Sequence, residues 1–399
     1  MSLLLTNATL ADGSLVDVSI DGDRIAQVSP ASSDSRDTDN SVDLTGKLLL
    51  VAPAEPHAHL DKALTADLVP NPDGDLAGAI VAWHGYRGSI TVADYVERAT
   101  AAAKLSAANG CTALRTHVDL GPDIGTTGVE ALLQVKADLE PLIDIQLVGL
   151  VFGVTGPPGS PDSANAVAVL REALDMGLDV VGGVPHIEAD PARAIDLLLE
   201  LAAEYGRPID LHADENLNAD SADLETLANR VLVTGFEHGV VASHCVALGM
   251  AETDAQTRVA EVAAEAGVSI VTLPQTNLYL QARGAETAAP RGLTALAALD
   301  RAGVNVAGGG DNLRDPFCLV GRGDPMETAS LLVMAGHLSP AAAYNAVSAA
   351  ARHALGLPAV TVEAGAPAEL MAIHADSVGE AVAAAPGGRL VIHRGRIVS

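Results

Sequence analysis

Cysteine is scarce in this chain of 399 residues, and the three cysteines stand far apart at Cys111, Cys245 and Cys318. No C-x-x-C pair occurs, so the spacing argues against a disulfide framework. Isolated cysteines of this kind are typical of buried thiols in a reducing compartment. We therefore expect a cytoplasmic protein.

Positive charge is the second shortage. The chain has 23 Lys and Arg against 51 Asp and Glu, which gives a formal net charge of −28. Nucleic acids and anionic membranes are bound by basic patches, so neither is an expected partner. A solvated acidic surface accounts for the charge without any special ligand.

Long apolar runs are also missing, although 49% of the residues are hydrophobic. Charges and glycines interrupt every run before it could span a bilayer. The first residues, 1–7, lack the basic and apolar regions of a signal peptide. The composition instead predicts a large buried core, enough for a barrel of TIM size and a smaller domain.

Both ends of the chain have the pattern of antiparallel strands. Short apolar runs at 3–10, 15–20 and 24–28 are separated by turn signals, and similar runs lie at 368–373 and 389–398. These segments predict one small discontinuous β-sandwich domain, made of residues 1–51 and 358–399.

The middle of the chain alternates between strand-like and helical stretches. Four clear helical stretches cover 93–109, 167–176, 192–205 and 255–266. This alternation predicts a (β/α)8 TIM-like barrel over residues 52–357, with an open doubly wound sheet as the alternative. No G-x-G-x-x-G follows the first strand, so a dinucleotide site has no support. The eight predicted strands are near 47–56, 111–119, 143–152, 178–187, 207–213, 239–244, 268–273 and 304–310.

Candidate metal ligands follow several of these strands. His57 and His59 are two residues apart, so on a strand both imidazoles point to one face and can reach one ion. His212, His244 and Asp311 each follow another strand-like run. The five residues fall at the ends of predicted strands 1, 5, 6 and 8. Active sites of such barrels lie at the carboxyl ends of the strands.

A long excursion, residues 63–91, follows the first predicted strand and contains the single tryptophan, Trp83. Loops of this length in compact domains are often lids or binding loops. A surface extension anchored by Trp83 is the other interpretation, and the sequence leaves both open.

The chain resembles the amidohydrolase superfamily, and within it the cytosine deaminase branch. The resemblance implies a metal-dependent barrel with a flanking β domain, which agrees with the pattern of strands and helices. It rests on six segments in order, namely H-A-H-L-D-K (57–62), R-T-H-V-D (115–119), V-V-G-G-V-P-H-I-E (180–188), L-H-A-D-E (211–215), A-S-H-C (242–245) and G-D-N-x-x-D-P (310–316).

The resemblance also implies roles for individual residues. A single divalent metal, Zn²⁺ or Fe²⁺, is expected on three imidazoles and one carboxylate. Asp311 is then also expected to accept a proton from the attacking water, Glu215 to carry a proton to a ring nitrogen, and His244 to orient the nucleophile and stabilise the tetrahedral intermediate. The implied metal ligands are His57, His59, His212 and Asp311.

Two absences support a single metal and this type of site. The fourth predicted strand has no lysine, which disfavours the two-metal members that use a carboxylated lysine there. The H-x-E and P-C-x-x-C motifs of the other class of zinc deaminases are also absent.

The substrate-contacting positions differ from those of cytosine deaminases. Phe152 stands where these enzymes carry a glutamine, and Asn312 stands where they carry a second aspartate. Cytosine is therefore expected to be a poor substrate. The N-isopropylammelide amidohydrolases share the H-L-D-K and D-N features and are a closer local match.

Lys62 and His186 are further candidate substrate contacts. For Lys62, the alternative prediction is an ion pair with Asp61 or Asp119. His186 and His117 lie at the ends of predicted strands, where they would face the site. The alternative prediction for each of them is a purely structural role.

The leading prediction is a hydrolytic deaminase acting on a small nitrogen heterocycle, which releases ammonia or an amine. A cyclic-amide hydrolase resembling imidazolonepropionase is the alternative among enzymes. A catalytically silent barrel that binds a small molecule is the alternative from another class, although Glu215 would be unnecessary for binding alone. The sequence leaves a homo-oligomer open.

Overall fold

The structure, a computed structural model, describes residues 2–32, 40–156 and 161–399. The strands are β1 (Ser2–Thr9), β2 (Leu15–Asp21), β3 (Arg24–Pro30), β4 (Ser41–Asp43), β5 (Leu48–Val51), β6 (Ala54–Ala58), β7 (Ala113–Leu120), β8 (Asp144–Val151), β9 (Val180–Gly183), β10 (Ile209–Ala213), β11 (Val240–His244), β12 (Ser269–Thr272), β13 (Val306–Gly308), β14 (Leu370–Ile373), β15 (Leu390–His393) and β16 (Arg396–Ile397).

The helices surround the barrel strands and extend into the C-terminal part. They are α1 (Leu76–Arg87), α2 (Val92–Ala108), α3 (Thr127–Leu139), α4 (Pro161–Met176), α5 (Pro191–Tyr205), α6 (Asp223–Thr234), α7 (Thr253–Glu265), α8 (Pro274–Leu280), α9 (Leu296–Ala302), α10 (Pro325–Met334), α11 (Pro340–Ala346), α12 (Ala349–Ala354) and α13 (Val378–Ala384). Within the described ranges, none of them combines the length and apolar character needed to cross a membrane.

Strands β6 to β13 form a parallel eight-stranded sheet in chain order. The sheet closes on itself, because the Asp311 amide donates to the His57 carbonyl at 2.9 Å and a parallel bridge joins Ala58 to Asp311. At least one helix follows each strand, as the right-handed crossover between parallel strands requires. The predicted (β/α)8 barrel is confirmed, and closure brings its first and last strands together where the candidate ligands lie.

A second sheet contains strands from both ends of the chain, in the order β16-β15-β14-β5-β1-β2-β3, with β4 beside β1. Its core includes Leu5 and Val18 from the N-terminal part and Leu370 and Ile392 from the C-terminal part. The predicted separate β domain built from both termini is therefore confirmed. Its exact limits, 1–51 and 358–399, stay a prediction.

The prediction of one strand over 47–56 is wrong. The run divides into β5, which belongs to the small domain, and β6, which is the first barrel strand. Ala52 and Pro53 separate the two, and proline has no backbone N–H for a ladder hydrogen bond. His57 consequently lies inside the barrel strand rather than beyond its end. The fourth barrel strand is also shorter than predicted, and a 3₁₀ turn at Pro185–Ile187 carries His186.

The four predicted helical stretches correspond to α2, α4, α5 and α7. Their ends have local causes in the sequence. Thr91 caps α2 through a capping box with Asp94. Helix α5 begins with Asp190 capping and Pro191 in the first turn, and it ends at Gly206 with φ of +61°.

Candidate active site

Four side chains converge at the carboxyl end of the barrel, namely those of His57, His59, His212 and Asp311. The Nε2 atom of His59 lies 3.2 Å from Nε2 of His212 and 3.2 Å from Oδ1 of Asp311. The Nε2 atom of His57 lies 3.7 Å from the same Oδ1. All four residues are at most 5% exposed. The structure thus brings the predicted ligand set into one buried cluster.

Local backbone geometry holds Asp311 in the cluster. The Glu55 carboxylate accepts hydrogen bonds from the Gly310 amide at 2.9 Å and from the His57 amide at 3.1 Å, which ties β6 to the turn after β13. A Cβ atom on Gly309 would lie 2.8 Å from Glu55 Oε1, so this close approach requires glycine. Asp311 itself has a left-handed backbone, with φ of +60°. Such conformations are often found at functional sites.

The donor set fits a divalent transition metal. Burial, and next the charge of His117, lower the pKa of His57 and of His212 well below the usual histidine range. Low pKa values favour the neutral form of these two imidazoles, which is the form that binds a metal. Neither Nε2 of His57 nor the two carboxylate oxygens of Asp311 has a hydrogen-bond partner among the described residues. Buried polar atoms without partners are costly, and a metal ion would satisfy them.

His117 lies against this cluster. Its ring centroid is 3.9 Å from that of His57 and 4.7 Å from that of His212. Two triplets have ligand atoms within 4.8 Å of one another, His57–His59–Asp311 and His57–His117–His212. His117 therefore packs directly against the metal-type cluster, on the side of the strand that was predicted to face the site.

Glu215 and His244 lie beside the cluster. His244 Nδ1 is 3.1 Å from Asn277 Oδ1 and 3.6 Å from Glu215 Oε1, and its Nε2 is 3.9 Å from Asp311 Oδ2. Because an amide oxygen only accepts, the Nδ1–H group donates to Asn277 and Nε2 carries the lone pair. Burial, and next the charge of Asp311, raise the pKa of Glu215 well above its usual range. A raised pKa favours the protonated form of a buried glutamate, which can act as a proton donor.

A cleft opens onto the cluster. His59, His212, Glu215, His244 and Asp311 all line it. Most of the remaining lining residues are apolar or aromatic, namely Leu76, Ile80, Trp83, Leu150, Phe152, Val184, Ile187 and Phe317. A small organic ring could therefore contact both the polar cluster and an apolar wall.

Two predicted substrate-contacting residues also line the cleft. Phe152 directly follows β8, and its ring lies edge-on to that of His84 at 5.9 Å. His186 has Nδ1 at 3.3 Å from the His212 carbonyl oxygen, so its proton lies on Nδ1. Its buried Nε2 has no hydrogen-bond partner in the described part of the chain and is free to accept one. Burial, and next the charge of His244, lower the pKa of His186 to about 4, which keeps the ring neutral.

The other two predicted substrate contacts, Asn312 and Lys62, have protein partners. The Asn312 amide donates to Asp315 at 2.8 Å, and its oxygen faces Thr276 at 3.3 Å. The Asn312 NH₂ group can still donate one hydrogen bond, and its oxygen can still accept one.

Lys62 Nζ donates to Asp119 at 2.5 Å and to Asp61 at 3.2 Å. The alternative prediction, that Lys62 pairs with a carboxylate, is therefore confirmed for both aspartates. Lys62 also lines the cleft.

Comparison with known proteins identifies the family. A profile of the amidohydrolase family matches residues 93–399, which is more than half of the chain. The pterin deaminase of Rhizobium rhizogenes is 31% identical over 401 residues, covering 99% of this chain and 88% of the relative. The chain belongs to the amidohydrolase family. The prediction of a hydrolytic enzyme is thereby confirmed, and the family is a metal-dependent one.

Two solved structures of amidohydrolases superpose along the whole chain. The 5-methylcytosine deaminase of Klebsiella pneumoniae, liganded with 5-fluorocytosine, has a TM-score of 0.91 and 29% identity, covering 100% of this chain and 97% of that one. The N-isopropylammelide isopropylaminohydrolase of Burkholderia multivorans has a TM-score of 0.85 and 31% identity, covering 100% and 98%. The predicted resemblance to the deaminase-like branch is confirmed.

In this amidohydrolase, segment 63–91 forms one wall of the cleft through α1. Trp83 is 1% exposed, and its Nε1 donates to Asp119 at 2.8 Å. Arg87 Nη1 donates to the same carboxylate at 3.2 Å, and its other nitrogens pair with Asp123. Although burial opposes ionisation, Lys62 and Arg87 lower the pKa of Asp119 to about 2. Trp83 is thus an anchor, as one of the two interpretations predicted, in a segment that also lines the site.

Replacing Asp119 by Asn should loosen this wall. The variant removes the charge that compensates two buried cations, and breaking buried ion pairs costs about 3–5 kcal/mol. We expect a lower melting temperature and faster protease cleavage within 63–91. The matched control is Asp123→Asn, because Asp123 pairs with the same Arg87 but its side chain is 52% exposed, and exposed pairs contribute at most about 1 kcal/mol. Equal melting and cleavage in the two variants would contradict the anchoring role.

Several residues of this site were not singled out from the sequence, notably Arg115, Asp210, Ser243 and Asn277. The sequence does contain a signal that could have identified Arg115, Asp210 and Ser243. They are polar residues at inward positions of otherwise apolar barrel strands. Arg115 stands two residues before His117, Asp210 two before His212, and Ser243 directly before His244. Only the register between strands reveals that they contact one another, as described below.

Proposed function

We propose that this amidohydrolase is a metal-dependent aminohydrolase that removes ammonia or an amine from a ring carbon of a small nitrogen heterocycle. The observation that carries the proposal is the position of the buried Glu215 carboxyl beside a metal-type cluster in the cleft, where burial raises its pKa. Binding alone would not need a buried proton donor next to a set of neutral imidazoles. The relatives support the reaction class, since all three are named for removing an amine from a nitrogen heterocycle.

The metal in this proposal is one Zn²⁺ or Fe²⁺ held by His57, His59, His212 and Asp311. Three neutral imidazoles and a carboxylate suit either ion and leave a coordination position open. When bound there, the ion supplies Lewis-acid chemistry and makes water a competent nucleophile near neutral pH.

The protein groups divide the proton transfers among them. Glu215 holds a proton and lies where it can deliver it to a ring nitrogen of a bound heterocycle, which makes the ring carbon more electrophilic. Asp311 Oδ2 accepts a proton from the attacking water and passes it to the departing amine. His244, held by Asn277 through Nδ1, keeps Nε2 directed towards this oxygen and orients the nucleophile.

The remaining lining residues determine which heterocycle fits. Phe152 offers an apolar face where a polar edge of cytosine would lose its hydrogen-bond partner. His186 Nε2 can accept a hydrogen bond from a ring or exocyclic N–H group, and Asn312 can donate as well as accept. Lys62 adds a buried cation close to an oxo group or other electron-rich edge. A ring with an apolar substituent directed at Phe152 satisfies these groups best.

The proposal is tested by measuring ammonia or amine release from a panel of heterocyclic amines, with the enzyme loaded with zinc or with Fe²⁺. The panel includes cytosine, 5-methylcytosine, pterin, N-isopropylammelide and N-alkylated pyrimidines. We expect release that stops when the metal is removed by chelation. Ring opening of a cyclic amide without release of an amine would instead support an imidazolonepropionase-like reaction and contradict the proposal.

The same panel tests the role of Phe152. We expect wild-type kcat/KM for cytosine to be well below that for substrates with an apolar substituent, because an unpaired buried polar group costs about 1–3 kcal/mol. Phe152→Gln should shift this preference towards cytosine by roughly tenfold or more, whereas Phe152→Leu keeps an apolar wall and should not. Efficient turnover of cytosine by the wild type, near the diffusion limit, would show that this position has been misinterpreted.

A further inference from the structure

A continuous chain of buried hydrogen bonds ends on His57. Ser243 Oγ lies 2.9 Å from His57 Nδ1 and donates to Asp210 Oδ1 at 2.9 Å. Arg115 Nη1 donates to Asp210 Oδ2 at 2.9 Å, and Gln146 holds the other side of this guanidinium. The residues come from five different barrel strands. The side chains of His57, Ser243, Asp210 and Arg115 are at most 2% exposed, so water does not compete for the hydrogen bonds between them.

The direction of each bond follows from the number of protons. A hydroxyl group has one proton to donate, and an ionised carboxylate can only accept. The Arg115 guanidinium lies 2.9 Å from Asp210 Oδ2, and this buried ion pair favours the carboxylate form of Asp210. Ser243 therefore gives its proton to Asp210, and its oxygen accepts a hydrogen bond from the Nδ1–H group of His57. The proton of His57 is then on Nδ1, and the lone pair on Nε2 faces Asp311.

We propose that Ser243, supported by Asp210 and Arg115, is a positioning residue that holds His57 in the tautomer and ring orientation needed for metal binding. This inference rests on the proposed metal site and gives its ligand His57 an outer support made of side chains from other barrel strands. Metal-ligating histidines commonly donate their second ring N–H to a carboxylate or carbonyl, and outer partners of this type affect metal affinity by about 10–100-fold. Here a serine hydroxyl connects the histidine to the carboxylate.

The decisive variant is Ser243→Ala, which removes the hydroxyl without adding volume. Zinc affinity of the metal-free protein, measured by competition with a chromophoric chelator, should fall by about 10–100-fold. Ser243→Thr keeps the hydroxyl and should restore most of the affinity. The matched control is Thr272→Val on the neighbouring strand β12, where the deleted buried hydroxyl has no hydrogen-bond partner in the described ranges. This control should bind zinc as the wild type does.

A spectroscopic measurement on metal-free wild-type protein tests the tautomer without relying on the folding of any Ser243 variant. Ring ¹⁵N signals of labelled histidine distinguish protonated from bare nitrogens, and the His57 signals are those lost in His57→Gln. We expect Nδ1 protonated and Nε2 bare. A proton on Nε2, or unchanged zinc affinity in well-folded Ser243→Ala, would overturn the positioning role alone. Failure of the wild type to bind zinc or Fe²⁺ would instead overturn the proposed metal site.

Discussion

Replacing Glu215 by Gln is expected to reduce kcat by about 10²–10⁴-fold, the usual contribution of a general acid or base. Glutamine keeps the size and the hydrogen-bonding ability of the side chain but has no proton that it can transfer. Glu215 is 5% exposed, and burial and the charge of Asp311 raise its pKa well above the usual range. The raised pKa favours the neutral carboxyl, and the neutral amide adds no buried charge. We expect unchanged metal content and nearly unchanged melting temperature.

The measurement compares kcat, metal content and melting temperature in the same preparation. Glu369→Gln is a suitable control, because Glu369 is equally buried at 5% but pairs with His393 in the small domain, away from the cleft. That variant should retain kcat even if it loses stability. Turnover of Glu215→Gln close to that of the wild type would remove Glu215 from the mechanism, whatever the metal content.

The double variant His57→Ala, His59→Ala should lose the metal and with it the activity. Wild-type protein should hold about one divalent ion per chain, as expected for a single site with three imidazoles and one carboxylate. Removing two imidazoles leaves His212 and Asp311, too few ligands to retain the ion through dialysis. We expect metal content near zero by elemental analysis and no measurable release of ammonia or amine.

Thermal melting gives a readout that does not depend on activity. A ligand that binds only the folded state raises stability by RT ln(1 + [L]/Kd), so added zinc should raise the melting temperature of metal-free wild type and not that of the double variant. His393→Ala serves as the control, since His393 is a buried histidine of the small domain and pairs with Glu369. A folded double variant with full metal content would contradict the assigned ligands.

The sequence alone determined the architecture and the membership of the cluster. Apolar runs alternating with helical stretches predicted the eight parallel strands, because the periods of 2 and 3.6 residues are local properties of the backbone. The separation of His57 and His59 by one residue placed both imidazoles on one face of a strand. His212, Glu215, His244 and Asp311 follow other strands, and a closed parallel barrel collects such positions at one end. The placement of these residues at one end of the barrel needed only local periodicity and strand order, whereas their division into metal ligands and proton-transfer groups came from the family resemblance.

Tertiary structure decided what depends on register and on contacts between distant segments. The apolar run at 47–56 was predicted as one strand because β5 and β6 have the same local pattern, although they belong to different sheets. The bond of Ser243 to His57 joins residues 186 positions apart, and the bond of Trp83 to Asp119 joins residues 36 apart. Sequence spacing does not encode such pairs, since they follow from strand stagger in the closed barrel and from where α1 lies against it. The hydrogen bonds that support the cluster and those that anchor α1 to the barrel could therefore be identified only in the tertiary structure.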